Sequence, residues 1–328
     1  MSASPRPHQP NDIPVIDAAR LPQDPTALAQ VDYALREWGC FYITGFAAGP
    51  AAEAALVTAL SAQMRALFAL PLQRKRTIER TADNAWGFYD RELTKNVVDW
   101  KQIYDVGPEY DAHRPQWPAD LPDFRPAVEA YYRACEAMAH RLLAAISVCL
   151  NMPAEHLRRD FDAHTSFLRM NYYPRCPDAA PPDAATGSRD GRFGINHHTD
   201  AGALTLLLQD DQPGLQVLRN GAWHMVPPIP GTLTVNVGDI VQVWSNDRYP
   251  AALHRVIASP ERERFSVPFF FNPGYATEYA PLPGACRDRP ARYRAINWGE
   301  FRARRAAGDY ADLGDEVQIS DYRSPVAT

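Results

Sequence analysis

The chain has 328 residues, enough for one large domain or two smaller ones with a sizeable core, and 46% hydrophobic with 22% charged residues is ordinary for a soluble globular protein. A net charge of −5 argues against a phosphate-binding surface, and so against a nucleic-acid partner; no run of about 18 uncharged apolar residues is present to span a membrane. The five cysteines form no CxxC pair, and their odd number speaks against a disulfide framework.

Residues 1–12, MSASPRPHQPND, are polar and Pro-rich; they predict a flexible tail without the apolar core of a signal peptide, and hence a cytoplasmic protein. IPVIDAARL then predicts a short strand, PTALAQVDYALREWG a helix stopped by Gly39, and CFYITGF another strand. PAAEAALVTALSAQMRALFAL begins with proline and predicts a second helix. RPAVEAYYRACEAMAHRLLAAISVCL, residues 125–150, predicts a long amphipathic helix with Pro126 in its first turn. Residues 13–150 thus read as an N-terminal region of helices and a few strands. Near residue 165 the period changes. SFLRMNYYP, ALTLLLQD, LQVLRNGAWHMVP, LTVNVGDIVQVWS and FSVPFFFNP predict short strands between turns, as in a sandwich or barrel covering 151–285. In the C-terminal part, 286–328, PARYRAINWGEFRARRAAG reverts to helix, with Arg302, Arg304 and Arg305 read as its solvated face. The stretch 175–194, RCPDAAPPDAATGSRDGRFG, reads as a surface loop, either a passive linker or a mobile lid.

The chemistry concentrates in INHHTDAGALTLLLQD, residues 195–210. His198 and Asp200 stand at i, i+2, which on an extended backbone turns imidazole and carboxylate to the same side; His197 faces the other way and reads as a packing or supporting residue. An HxD alone carries little weight. His254, in the apolar strand-like setting SNDRYPAALHRVIAS, supplies a third donor. Two imidazoles and one carboxylate leave three adjacent metal positions open, a set that suits ferrous iron, dioxygen and a chelating cosubstrate. In ERERFSVPFFFNP, Arg264 and Ser266 again stand at i, i+2, aiming a guanidinium and a hydroxyl one way; arginine suits bidentate capture of a carboxylate.

The order NYYP (171–174), HTD (198–200), LTLLLQD (204–210), His254 and RFS (264–266) resembles the iron and 2-oxoglutarate dependent dioxygenases, and more narrowly their isopenicillin N synthase-like branch. IPVIDAARL and GCFYITGF resemble that branch's N-terminal segment, ELTKNVVDWKQIYDVG its middle, and WGEFRARRAAGDYADLGDEVQIS the tail of many bacterial members. The resemblance implies a mainly β fold with surrounding helices: a double-stranded β-helix (jelly-roll) barrel plus the helical N-terminal region. It implies that His198, Asp200 and His254 hold Fe(II), that Arg264 and Ser266 bind the distal carboxylate of 2-oxoglutarate, and that Asn171 and Tyr173 line the cosubstrate pocket. The implied reaction uses O2 to hydroxylate or desaturate a small organic substrate, with release of succinate and CO2. Aromatics of NAWGFYDRELTK and DWKQIYD (Trp86, Phe88, Tyr89, Trp100, Tyr104), together with Phe271, are the candidate substrate contacts. Two alternatives stay open: an iron and O2 oxidase of the same fold that does not use 2-oxoglutarate, and a non-catalytic metal- or ligand-binding barrel. The absence of GxSxG, HExxH and GxGxxG removes hydrolase and dinucleotide readings. The motifs specify neither the substrate nor the oligomeric state.

Overall fold

The computed structural model describes residues 12–308, 311–312, 314 and 316–325. The expected N-terminal tail, apart from Asp12, lies outside the described residues. In chain order come β1 (Val15–Asp17), α1 (Pro25–Glu37), β2 (Cys40–Thr44), α2 (Pro50–Ala69), α3 (Leu72–Arg76), β3 (Gly87–Tyr89), β4 (Leu93–Thr94), β5 (Val97–Val98), β6 (Gln102–Val106) and α4 (Phe124–Cys149). The second half carries β7 (Phe167–Tyr173), β8 (Phe193–His198), β9 (Leu204–Gln209), β10 (Leu215–Arg219), β11 (Ala222–Met225), β12 (Leu233–Val237), α5 (Asp239–Trp244), β13 (His254–Ile257), β14 (Arg264–Phe271), β15 (Glu278–Tyr279), β16 (Ile296–Asn297) and α6 (Trp298–Ala307).

Local chemistry explains the helix ends. The Asp24 carboxylate accepts from the amides of Thr26 and Ala27 with Pro25 in the first turn, and Gly39, at φ +66°, lets the chain turn out of α1 into β2. In α4 the buried residues Val128, Tyr131, Cys135, Met138, Leu142 and Ile146 recur at helical spacing. That face packs on α1, α2 and the outer side of β9 and β14, where the Tyr132 and Phe269 rings meet edge to face at 5.0 Å. Each large apolar side chain buried there contributes about 1.5–3 kcal/mol.

Two sheets form a jelly-roll. The larger runs β1-β2-β12-β9-β14-β7-β6-β3, the smaller β11-β10-β13-β8. Alternation divides the strands of the large sheet between two interiors. In β14, Phe265, Val267, Phe269 and Phe271 join the core under the helices, whereas Arg264, Ser266, Pro268 and Phe270 face a cavity between the sheets. β7 does the same with Phe167, Arg169, Asn171 and Tyr173 on the cavity side.

The N-terminal strands β1, β2, β3 and β6 hydrogen-bond into the same large sheet as the barrel strands. Two expectations need correction. LTVNVGDIVQVWS is not one strand: it breaks at Gly238 into β12 and α5. A Cβ at Gly238 would collide with the carbonyl oxygens of Gly202 and Asp200, so the turn that starts α5 is pressed against the turn carrying Asp200. PARYRAINWGEFRARRAAG becomes helix only at Trp298, where the Asn297 side chain caps the Glu300 amide; the two residues before it pair as β16 with β15.

Candidate metal centre and cosubstrate pocket

The cavity, about 180 Å³, is open between the sheets and is walled by both. On it His198, Asp200 and His254 bring one donor atom each within 4.8 Å of the others. Nε2 of His198 lies 3.7 Å and Nε2 of His254 3.8 Å from Asp200 Oδ1. The orientation of each donor is fixed from behind. Nδ1 of His198 is 2.8 Å from the Asn196 carbonyl and Nδ1 of His254 2.8 Å from that of Ala252, so each Nδ1 carries the proton and each Nε2 presents its lone pair. Asp200 Oδ2 accepts from Thr205 Oγ1 on β9 and, at 2.8 Å, from Asn236 Nδ2 on β12, leaving Oδ1 to face the histidines.

The electrostatics suit a cation. Burial and the neighbouring His254 hold His198 far below the usual imidazole range, at about 3, so it is a neutral base at physiological pH. For Asp200, burial pushes the carboxyl up, but His254, His198 and the bonds from Thr205 and Asn236 outweigh it, and the net shift is downward. A buried carboxylate facing two imidazole lone pairs is a set that a divalent metal completes, and nitrogen with oxygen donors of this kind suits Fe(II).

Beside the triad lies a second cluster. Arg264 and Ser266 of β14 are register partners of Tyr173 and Asn171 of β7. The Tyr173 hydroxyl is 3.4 Å from Ser266 Oγ, and Asn171 Nδ2 donates to the same oxygen at 3.3 Å. Arg264 is 2% exposed and donates through Nη2 to Gln209 Oε1 and through Nε to the Gln212 carbonyl. Its Nη1, also buried, has no partner among the described residues. A buried unpaired guanidinium nitrogen is costly, and a carboxylate in the cavity removes that cost. The residues fit 2-oxoglutarate.

The proposed substrate aromatics are not on the cavity wall. Phe88 is fully buried under Lys75 and Arg76, and Tyr89 lies against Arg80 and Arg91. Trp100 donates from Nε1 to the Pro174 carbonyl and stacks under Arg192; Tyr104 donates to the Gln116 carbonyl. Trp86 packs on Phe167 from outside the cavity, and Phe271 stacks on Phe161 at 4.3 Å in the core. Besides Tyr173, the cavity aromatics are instead Phe167, Phe270 and Trp298. Phe270 was within reach of sequence reasoning: the parity that pairs Arg264 with Ser266 selects 270 and rejects 271. Thr205 and Asn236 carried a signal too, as polar residues interrupting the apolar strands LTLLLQ and LTVNV.

Three further placements differ from expectation or complete it. Arg302 and Arg305 line the cavity, and of the arginines expected on a solvated face only Arg304 is exposed. The stretch 175–194 does not border the cavity. Arg255, 1% exposed, holds it to the back of the small sheet through the carbonyls of Pro182 and Ala184, and Ala180 and Ala184 bury against Phe193 and Ile257. His197 does not line the cavity either. Facing the pocket from the β4–β5 side is a buried ionic network: Glu92 pairs with Lys101 (2.7 Å), Arg169 (2.7 Å) and Arg80 (3.1 Å), Lys101 also with Asp99, and Arg169 and Arg80 also with Asp105.

The chain matches the family model of the 2OG-Fe(II) oxygenase superfamily over residues 164–273 and that of the non-haem dioxygenase N-terminal region, described for morphine synthesis, over 13–127. Gibberellin 3-beta-dioxygenase 2-3 of Triticum aestivum is 30% identical over 308 residues, covering 89% of this chain and 79% of the relative. Flavanone 3-dioxygenase 2 of Oryza sativa subsp. japonica is 32% identical over 298 residues, covering 88% and 82%. Among solved structures, JOX2 in complex with 2OG, Fe and JA superposes with a TM-score of 0.78 at 27% identity, covering 95% of this chain and 89% of that one. A full-length Neurospora crassa protein in complex with alpha-KG and thymine gives 0.77 at 26% identity, with 91% and 97% covered. Among the described residues no helix is long and apolar enough to cross a membrane. Relatives, solved neighbours and the donor set in the cavity agree, and the chain belongs to the 2OG-Fe(II) oxygenase superfamily as a non-haem Fe(II)- and 2-oxoglutarate-dependent dioxygenase that oxidises a small organic molecule.

Proposed function

We propose that His198, Asp200 and His254 hold the ferrous ion, that Arg264, Ser266 and Tyr173 bind the distal carboxylate of 2-oxoglutarate beside Asn171, and that the product is a hydroxylated small molecule. The observation that carries this reading is the meeting of the triad and the unpartnered Arg264 Nη1 in one cavity. Iron bound there supplies the redox chemistry by which a C–H compound, 2-oxoglutarate and O2 become an alcohol, succinate and CO2. The chain's own residues do the rest. The Asn196 and Ala252 carbonyls fix the two imidazole rings with Nε2 aimed into the cavity, Thr205 and Asn236 hold Asp200 with one oxygen forward, and Arg264 fixes the cosubstrate at its far end. The apolar walls supplied by Leu207, Leu215 and Val256 limit water around the reacting centre.

The unpaired Nη1 favours this reading over an oxidase that does not use 2-oxoglutarate, and the complete donor set favours it over a non-catalytic barrel. Within the superfamily, the match to the dioxygenase N-terminal model supports a place in the isopenicillin N synthase-like branch. The five free cysteines suit a reducing compartment such as the cytoplasm. The test is substrate-dependent formation of succinate from 2-oxoglutarate by the iron-loaded protein, with mass detection of a product heavier by one oxygen. Turnover of a substrate without succinate would put the alternative oxidase in first place.

A further inference from the structure

Helix α6 turns one stripe toward the cavity: Trp298, Arg302 and Arg305, at i, i+4 and i+7. The indole is fixed by a 2.8 Å bond from Nε1 to Thr165 Oγ1. Phe167 and Phe270, ring centroids 4.7 Å apart, add an aromatic surface to the same cavity.

The positive charges of the cavity wall are answered with one exception. Lys101 and Arg169 belong to the network of Glu92, Asp99 and Asp105. Arg305 lies 3.8 Å from Glu316, which also faces Lys95, and donates to the carbonyls of Thr199 and Val317. Arg264 serves the cosubstrate in the proposed function. Arg302, half-buried, makes no hydrogen bond or ion pair among the described residues; its charge is felt at the Tyr110 hydroxyl but meets no carboxylate of those residues. A guanidinium that has lost part of its water without gaining a partner among the described residues can serve as a receptor for an anion, and its planar fork fits a carboxylate.

We propose that Arg302 is a substrate-binding residue, pairing with one carboxylate of an otherwise apolar, ring-bearing substrate whose ring lies against Phe167, Phe270 and Trp298. This rests on the reading of the cavity as the dioxygenase pocket. A neutral substrate leaves the guanidinium unpaired, and a cationic one is repelled by it.

The probes are 4-phenylbutanoate, 3-cyclohexylpropanoate and 2-naphthylacetate, each with its methyl ester and primary amide. They are titrated calorimetrically, without oxygen, into protein loaded with Fe(II) and saturating 2-oxoglutarate, which keeps the acids out of the Arg264 pocket. At least one acid should bind about tenfold or more tightly than its ester and amide, the increment of one charge-assisted pair. Arg302→Gln should erase that preference and leave ester and amide affinity unchanged. Arg302→Lys should keep part of it, and Arg304→Gln, on the exposed side of the helix, all of it. Esters that bind as well as their acids, a preference that survives Arg302→Gln, or failure of every acid to bind would overturn the inference. If Arg302→Gln does not fold, an undiminished preference in Arg302→Lys overturns it instead. Binding of 2-oxoglutarate and, once oxygen is admitted, its slow conversion to succinate are followed in the same wild-type samples. Their absence sinks the dioxygenase reading, whereas their presence without an acid preference sinks this inference alone.

Discussion

His198 and His254 are register partners across β8 and β13, with ring centroids 4.3 Å apart, and each is tied through Nδ1 to the carbonyl two residues before it. One local device thus occurs twice on adjacent strands, and Asp200 closes the group from the turn after β8. Anaerobic addition of Fe(II) and 2-oxoglutarate should give one iron per chain and a weak visible charge-transfer band. His198→Ala and His254→Ala should each lose the band and most of the bound iron. A His254→Ala protein that keeps both would remove His254 from the proposed ligand set.

Arg264→Ala tests the cosubstrate. Leaving one member of a buried charge pair alone costs about 2–5 kcal/mol, or roughly 30-fold or more in affinity. The apparent KM for 2-oxoglutarate should rise by that factor while iron binding stays nearly normal. Arg264→Lys should recover only part, because a point charge does not reproduce a fork that bonds Gln209 and would at the same time pair with a carboxylate. Wild-type kinetics in the alanine variant would make Arg264 a structural residue.

Asn236 and Thr205 both donate to Asp200 Oδ2 and, in the proposed site, would support the metal through it. Asn236→Ala or Thr205→Val removes one of the two bonds to Oδ2 and loosens the carboxylate, and iron affinity should fall about 10–100-fold with the KM for 2-oxoglutarate changed less. Gly238→Ala should have a similar effect from the backbone side, since its methyl group displaces the Asp200 turn. Competition with a fluorescent chelator reads the affinity directly. Unchanged iron affinity in Asn236→Ala would mean that the triad needs no support from β12.

Phe270 and Phe271 are neighbours with opposite duties. Phe271→Ala should cost about 3–5 kcal/mol of stability, the range for a large aromatic removed from a core, because its ring stacks on Phe161. Phe270→Ala should cost less and instead raise the KM for the substrate. Thermal melts and steady-state kinetics on the two variants separate the effects, and equal melting temperatures would contradict the placement of Phe271 in the core.

The segment 175–194 should behave as a fixed flap on the back of the small sheet. Hydrogen exchange at its bonded amides, such as Ala180 and Arg192, should not respond to iron, 2-oxoglutarate or substrate. Arg255→Met should speed exchange there by removing the donors to Pro182 and Ala184. Slowing of exchange when substrate joins the iron complex would restore the lid reading.

The features legible in the order of amino acids are local or periodic. Gly39 after α1 and proline at the starts of α2 and α4 marked those helices closely, and the change from helical to alternating spacing near residue 165 announced the barrel. The i, i+2 spacing of His198 with Asp200, and of Arg264 with Ser266, specified which side chains share a direction, because strand parity is a property of the backbone alone. Tertiary structure decided what each direction faces. It set His254 opposite His198, a register that depends on how two strands distant in sequence pack. It put Thr205 and Asn236 behind Asp200 and turned the Arg302 stripe inward against a cavity the helix does not itself contain. It also buried Trp86, Phe88 and Tyr104 away from the cavity and left Tyr89 and Trp100 half-buried beneath arginines. Burial of an aromatic ring is favourable against any apolar neighbour, so composition cannot say which ring lines a cavity and which fills the core; that is settled only when the sheets close.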